Sequence, residues 1–259
     1  MERMLGISGR SRLSISRLSE TRISGFIKEL IVVSGAFLLY SLVRGTIGER
    51  IGHAFANAAS LIDLEKSLGF FWELQMQNWV LDHTPLIHFF NQVYIWGFGP
   101  LIIISAVWLY WCRRSYYVLY RNALLISGGI ALLCFYLLPT APPRFLQWVG
   151  FEDTIALFVS AYRSSQMDGF LNHYAAFPSM HFGWILLLSM ALFSTTRSLP
   201  LRIVWVLLPV LMFLAIIVTG NHFIVDAIAG GAVALVGLLI SLAMRRYVIP
   251  IRLAQGNIG

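Results

Sequence analysis

The sequence predicts an all-α polytopic membrane protein: a six-helix transmembrane bundle with an amphipathic interfacial segment between its first and second spans. Three observations carry this expectation. Hydrophobic residues make up 58% of the chain and charged residues 12%, about half the charged share of an ordinary soluble domain. The apolar residues fall in long runs, and a bilayer core takes roughly 20 mostly apolar residues per helix. Those runs are continuous rather than alternating, which argues against a transmembrane β-barrel.

Taken in chain order, residues 1–24 are basic and serine-rich. They lack the short charged patch followed by an apolar core that marks a cleavable signal peptide, and are expected to form a mobile cytoplasmic tail. The membrane domain is expected over 25–246, with spans at about 25–43, 85–111, 118–138, 180–197, 200–219 and 223–244. A cytoplasmic C-terminal tail, 247–259, follows. The second run is long and contains Asn91, Gly97, Gly99 and Pro100, so a tilt or kink is expected there. Between the first two spans, residues 45–84 include "NAASLIDLEKSLGFFWELQMQNW", with Ala58, Leu61, Ile62, Leu64 and Leu68 near helical spacing. One or two amphipathic helices on the outer surface are expected, either for packing and anchoring, the favoured role, or to shape a lateral lipid entrance. Cys112 and Cys134 are isolated and imply neither a disulfide framework nor a metal site.

Lys and Arg in short loops set orientation. With the N-terminus inside, 14 of the 19 basic residues fall on the cytoplasmic side, and Arg44, Arg50, Lys66, Arg144 and Arg163 remain outside. The net charge of +7 is thus mostly a topological signal; a nucleic-acid partner would need a concentrated basic face. Both termini are expected in the cytoplasm, in a plasma membrane or an endomembrane.

Three distant segments then reach one face of the bilayer. "LLPTAPPRFL" (137–146) ends the third span, "FPSMHF" (177–182) opens the fourth, and "TGNHFIVDAIAGG" (219–231) joins the fifth to the sixth. They bring Arg144, Ser179, His181, His222 and Asp226 to the extracytoplasmic side. Taken singly, each has a bland structural explanation: a snorkelling arginine, a helix cap, an interfacial histidine, a one-turn polar pair. Together they point to chemistry, because an ionisable group inside a span marks function by default. His222 and Asp226 are four apart and share a helix face. An aspartate on one ring nitrogen fixes the tautomer and leaves the other as a nucleophile. Arg144 can grip phosphoryl oxygens in a fork. Ser179 and the backbone N–H groups of Met180 and His181 form a helix N-terminus, a ready anion site. His181 is left as general acid and then general base. The set suits phosphoryl transfer through a phosphohistidine, with arginine and helix dipole supplying charge and with neither metal nor cofactor expected. His173, Tyr174 and Asn221 are candidate headgroup contacts, Asn221 also a candidate helix cap. Gly230 and Gly231 fit close helix packing.

These motifs resemble the type 2 phosphatidic acid phosphatase superfamily, whose pattern is KxxxxxxRP, PSGH and SRxxxxxHxxxD. "PSMH" matches the second motif with Met180 in place of glycine, and "HFIVD" matches the HxxxD core of the third. The first survives as "APPRF": Arg144 is present, no proline follows it, and Leu137 occupies the lysine position. Ile216 stands where the third motif has arginine. The reduced pattern, with "PTAP", is similar to the inositol phosphorylceramide synthase-like branch, which transfers a phosphoinositol headgroup between lipids. The resemblance implies a helical bundle with its site at the membrane surface. It implies Arg144 and Ser179 as phosphate ligands, His181 as acid and base, His222 as nucleophile and Asp226 as its orienter. The substrate expected is a membrane lipid phosphate, with no protein partner indicated. The competing expectation is a transporter or channel with a His/Asp proton relay, which would spread polar groups through the midplane and show repeat symmetry; here they cluster at one face. A catalytically inactive structural member fits intact motif residues less well.

Overall fold

The computed structural model describes the backbone of residues 7–46, 50–158 and 174–255, and side chains over 23–42, 50–158 and 174–246. Among those residues the regular structure is helical, apart from a single isolated bridge between Thr140 and Ala175. Packing divides the chain into residues 1–41 and 42–259. The first unit holds most of α1 (Ile7–Thr46), within which Ile23–Leu42 is long and apolar enough to cross a membrane. The helix starts at Ile7, so it runs through part of the segment expected to be a tail.

The second unit contains α2 (Ile51–Leu68), α3 (Glu73–Leu81), α4 (Thr84–Trp96), α5 (Gly99–Cys112) and α6 (Arg114–Leu137). A loop with two 3-10 turns, Pro143–Phe145 and Gln147–Val149, leads to α7 (Thr154–Phe158). Then come α8 (Met180–Thr195), α9 (Leu199–Val218) and α10 (Ile224–Gln255), the last running on into the segment expected as a C-terminal tail.

Four helices are long and apolar enough to span a bilayer: Ile23–Leu42, α6, α9 and Ile224–Arg246 of α10. The pair α4 and α5, bent by 45°, makes a fifth if it is one span. The bend falls in the stretch where a kink was expected, because Gly97 ends α4 and Pro100, which lacks an N–H, opens α5. The fourth expected span, 180–197, is shorter than its apolar run suggested. α8 has 16 residues, a rise of about 24 Å against a core of about 30 Å. The Ser179 cap starts it at Met180, where it was expected, and the extended Thr196 ends it early.

The segment between α1 and α4 is two helices. α2 buries Ala54, Ala58, Ile62 and Glu65. Leu64 and Leu68, expected on the apolar stripe, are exposed instead. The buried stripe faces protein, where it joins Ala141, Leu146, Phe151 and Phe223 in one cluster. Buried polar side chains tie this outer region down. Gln77 donates to the Glu152 and Val218 carbonyls and accepts from the Glu152 N–H. The Thr154 hydroxyl donates to Asn91 Oδ1 at 2.9 Å. A second cluster, with Ile185, Leu188, Met212, Ile216 and Ile217, packs α8 against α9. α9 turns Leu201, Ile203, Val206 and Val210 outward. Apolar surface of this kind on long apolar helices identifies an integral membrane protein.

Candidate active site

The three motif loops are stitched together through their backbones. The Arg144 N–H donates to the Gly220 carbonyl at 2.7 Å. Thr140 donates to the Tyr174 carbonyl, and the Thr140 carbonyl accepts from Ala176. The Ser179 N–H donates to the Asp226 carbonyl at 2.9 Å. Backbone bonds of this sort satisfy groups that would be costly if buried unpaired. They also hold the end of α6 and the starts of α8 and α10 in one place.

Ser179 caps α8, its hydroxyl accepting from the Phe182 N–H. This start docks directly on α10: a Cβ at Gly230 would overlap the Ser179 carbonyl, so only glycine fits. The turn before α10 needs a second glycine. Gly220 has φ +69°, and the Ile216 carbonyl accepts the N–H groups of both Asn221 and His222.

His222 and Asp226 are brought together, although α10 begins only at Ile224, so that His222 stands in the turn before the helix and not on its face. Nδ1 of His222 lies 3.4 Å from Oδ2 of Asp226, and both residues are buried. The same Oδ2 accepts the Phe223 N–H at 2.9 Å, so Asp226 also caps its own helix. The His181 ring centre is 5.8 Å from that of His222. His181 lies between two aromatic rings from the bent pair, stacked on Tyr94 at 4.7 Å and tilted against Phe98 at 4.3 Å. The break between α4 and α5 thus delivers Phe98 to the site; sequence reading placed the kink but not this use of it.

Arg144 reaches Asp153 through Nε at 3.6 Å, in an ion pair that orients the guanidinium. Ile216, where the full motif has arginine, is completely buried in the cluster between α8 and α9, and Leu137 is an exposed residue closing α6. Met180 is buried behind the α8 start. Asn221 does not cap α10: its amide donates to Thr219 Oγ1 at 2.7 Å, and its Oδ1 has no partner among the described residues. The local turn supplies Thr219 two residues away. Tyr174 packs edge-on against Phe55 and Phe145 at the loop junction. His173 lies outside the described residues.

Two residues escaped the sequence reading. Glu65 and Glu73 are fully buried, and they accept the Val225 and Ile224 N–H groups at 2.9 and 2.8 Å. Burial and the neighbouring Glu73 push the Glu65 carboxyl up to about 9. One signal was available: Glu65 continues the 54, 58, 62 stripe of α2 by a further turn.

The sequence pattern of the PAP2 superfamily matches residues 59–240, well over half of the chain. The chain belongs to the PAP2 superfamily. The matched range of this PAP2 protein runs from α2 into α10 and includes all three motif loops together with Glu65 and Glu73. Membership makes it an enzyme of the phosphoric ester hydrolase type, a lipid phosphatase in broad class. Among curated proteins no match was found. Among solved structures the chain is similar to LpxE of Aquifex aeolicus, at 20% identity and a TM-score of 0.49, covering 62% of this chain and 87% of that one.

Proposed function

We propose that this PAP2 protein cleaves a lipid phosphate ester through a phosphohistidine on His222, and that it passes the phosphoryl-bearing headgroup to an alcohol acceptor. The observation that carries the reading is the pairing of two helix starts. The Ser179 N–H bonds the Asp226 carbonyl, which holds the His181 and His222 rings 5.8 Å apart. Asp226 faces Nδ1 of His222 and leaves Nε2 to attack phosphorus. The P–N bond forms as the P–O bond to the lipid alcohol breaks, and His181 gives that oxygen its proton. His181 then takes the proton of the incoming hydroxyl, whose oxygen displaces His222. The Arg144 fork and the first-turn N–H groups of α8 stabilise the phosphoryl oxygens.

The missing cations favour transfer of a phosphodiester headgroup, of the phosphoinositol kind, over hydrolysis of a monoester. A dianionic monoester calls for more positive charge than a monoanionic diester. Here Leu137 and a buried Ile216 replace two cations of the full motif. We read the chain as six spans, with the bent α4–α5 pair and the short α8 completing the set, both termini cytoplasmic and the site extracytoplasmic. The basic residues of the short loops support that orientation.

The test is a lipid panel offered to the purified protein with and without an alcohol acceptor. A new lipid carrying the transferred headgroup is expected, and His222→Ala should abolish it. Free phosphate from a monoester, unaffected by acceptor, would replace transfer by hydrolysis; turnover in His222→Ala would remove the phosphohistidine.

A further inference from the structure

Three N–H groups open α10, and three carboxyls receive them. Phe223 donates to Asp226, Ile224 to Glu73 and Val225 to Glu65. Two of these acids come from α2 and α3, the segment that the chemistry of the motifs leaves unused. Both are fully buried, and the second oxygen of each, Oε2, has no donor among the described residues. The two carboxyls act directly on one another, and burial together with that neighbour raises the Glu65 carboxyl. Two ionised carboxylates are both acceptors, so a hydrogen bond between them needs a proton on one of them.

We propose that Glu65 and Glu73 are positioning residues for His222: a carboxyl pair sharing one proton that clamps the first turn of α10, whose loss of that proton sets the alkaline limit of turnover. This rests on the reading of His222 as the nucleophile. His222 stands one residue before Phe223, which is itself buried in the α2 cluster. Whatever moves the α10 start therefore moves the imidazole relative to Asp226. With the proton in place, one oxygen of Glu65 accepts from Val225 and the other donates to Glu73. Without it, Glu65, Glu73 and Asp226 are three negative charges around one helix end, and mutual repulsion opens the clamp.

The ionisable groups acting on Glu65 are Glu73 of α3 and Asp226 of α10, both acids. The other charged groups on the elements around it are turned elsewhere. Asp63 and Glu152 are exposed, Lys66 lies over the Phe71 ring, and Arg144 pairs with Asp153. Beyond Asp226 lies His222, and Tyr174 packs at the edge of the cluster.

Glu65→Gln separates the roles, because its amide keeps an acceptor for Val225 and a donor for Glu73 but cannot ionise. Wild-type turnover should fall with a midpoint near about 9. Glu65→Gln should keep kcat within about two-fold at neutral pH and lose that alkaline fall, whereas Glu65→Ala should lower kcat about ten-fold with little change in KM. An infrared carboxylic-acid C=O band, present at neutral pH, lost above about 9 and missing from Glu65→Gln, reports the shared proton without any turnover. The same alkaline fall in Glu65→Gln and wild type, or no such band, overturns the proposal. A band that behaves as expected in a protein whose His222→Ala variant still turns over would instead sink the phosphohistidine and leave the clamp standing.

Discussion

On the proposed reading, Arg144 faces alone a task that the full family pattern divides among three cations. Its guanidinium is oriented by Asp153, and its backbone is pinned to the turn that carries His222. A charge-assisted hydrogen bond contributes about 1.5–3 kcal/mol and a bidentate pair more. Lysine keeps the charge and loses the fork. Arg144→Lys should therefore lose about ten-fold or more in kcat/KM, and Arg144→Ala more again. A snorkelling anchor would behave differently, since lysine snorkels as well as arginine; near-normal turnover of the lysine variant at matched expression would take Arg144 out of the site. Asp226→Asn removes the carboxylate charge facing Nδ1, while its amide oxygen can still accept the Phe223 N–H. Turnover should fall by about two orders of magnitude or more, in line with a wrongly held tautomer. The catalytic assay should be accompanied by a thermal melt showing a folded protein.

At the scale of the helices, the proposed site depends on how closely α8 and α10 approach. Gly230→Ala places a methyl group on the Ser179 carbonyl. Backbone cannot yield as a flexible side chain can, so the α8 start must shift and the Ser179–Asp226 bond with it. Overpacking of this kind costs about 1–3 kcal/mol, and activity should fall further than melting temperature does. Gly129→Ala on α6 is the control, because nothing lies within 4 Å of the added carbon; it should be neutral or slightly stabilising. The start of α10 also responds to pH. Glu65 has a folded-state value of about 9 against 4.5 for the free group. Between those values the folded protein holds the extra proton, so stability declines as pH rises through the window. The contribution is complete below 4.5 and gone above about 9. Melting temperatures in detergent should fall across that interval in wild type and flatten in Glu65→Gln. An unchanged slope would mean that Glu65 is not the group concerned.

For the whole molecule, the decisive question is which side of the membrane the motif loops face. Gln147 is exposed in the loop that carries Arg144, and Cys112 is exposed at the far end of α5, beside Arg113 and Arg114. In a background without Cys134, Gln147→Cys should react with an impermeant thiol reagent in intact cells, and Cys112 only after permeabilisation. The reverse pattern would invert the topology. Gln147 is the better reporter than neighbouring Gly150, whose φ of +109° leaves a side chain strained. The sequence by itself determined what is local: apolar runs long enough for lipid, a kink where Gly97 and Pro100 interrupt one of them, and a histidine and aspartate close together. It also determined the Pro-Ser start of α8, because caps and periodicities act over a few residues. Only the tertiary structure decided the rest. Glu65 and Glu73 meet N–H groups 160 and 151 residues away, and Asn221 is captured by Thr219 rather than by a helix end. Leu64 and Leu68 lost the buried face of α2 to a glutamate. The reason is physical: a buried carboxyl is tolerable only where donors and a shared proton await it, and those partners come from helices that meet only when the chain folds.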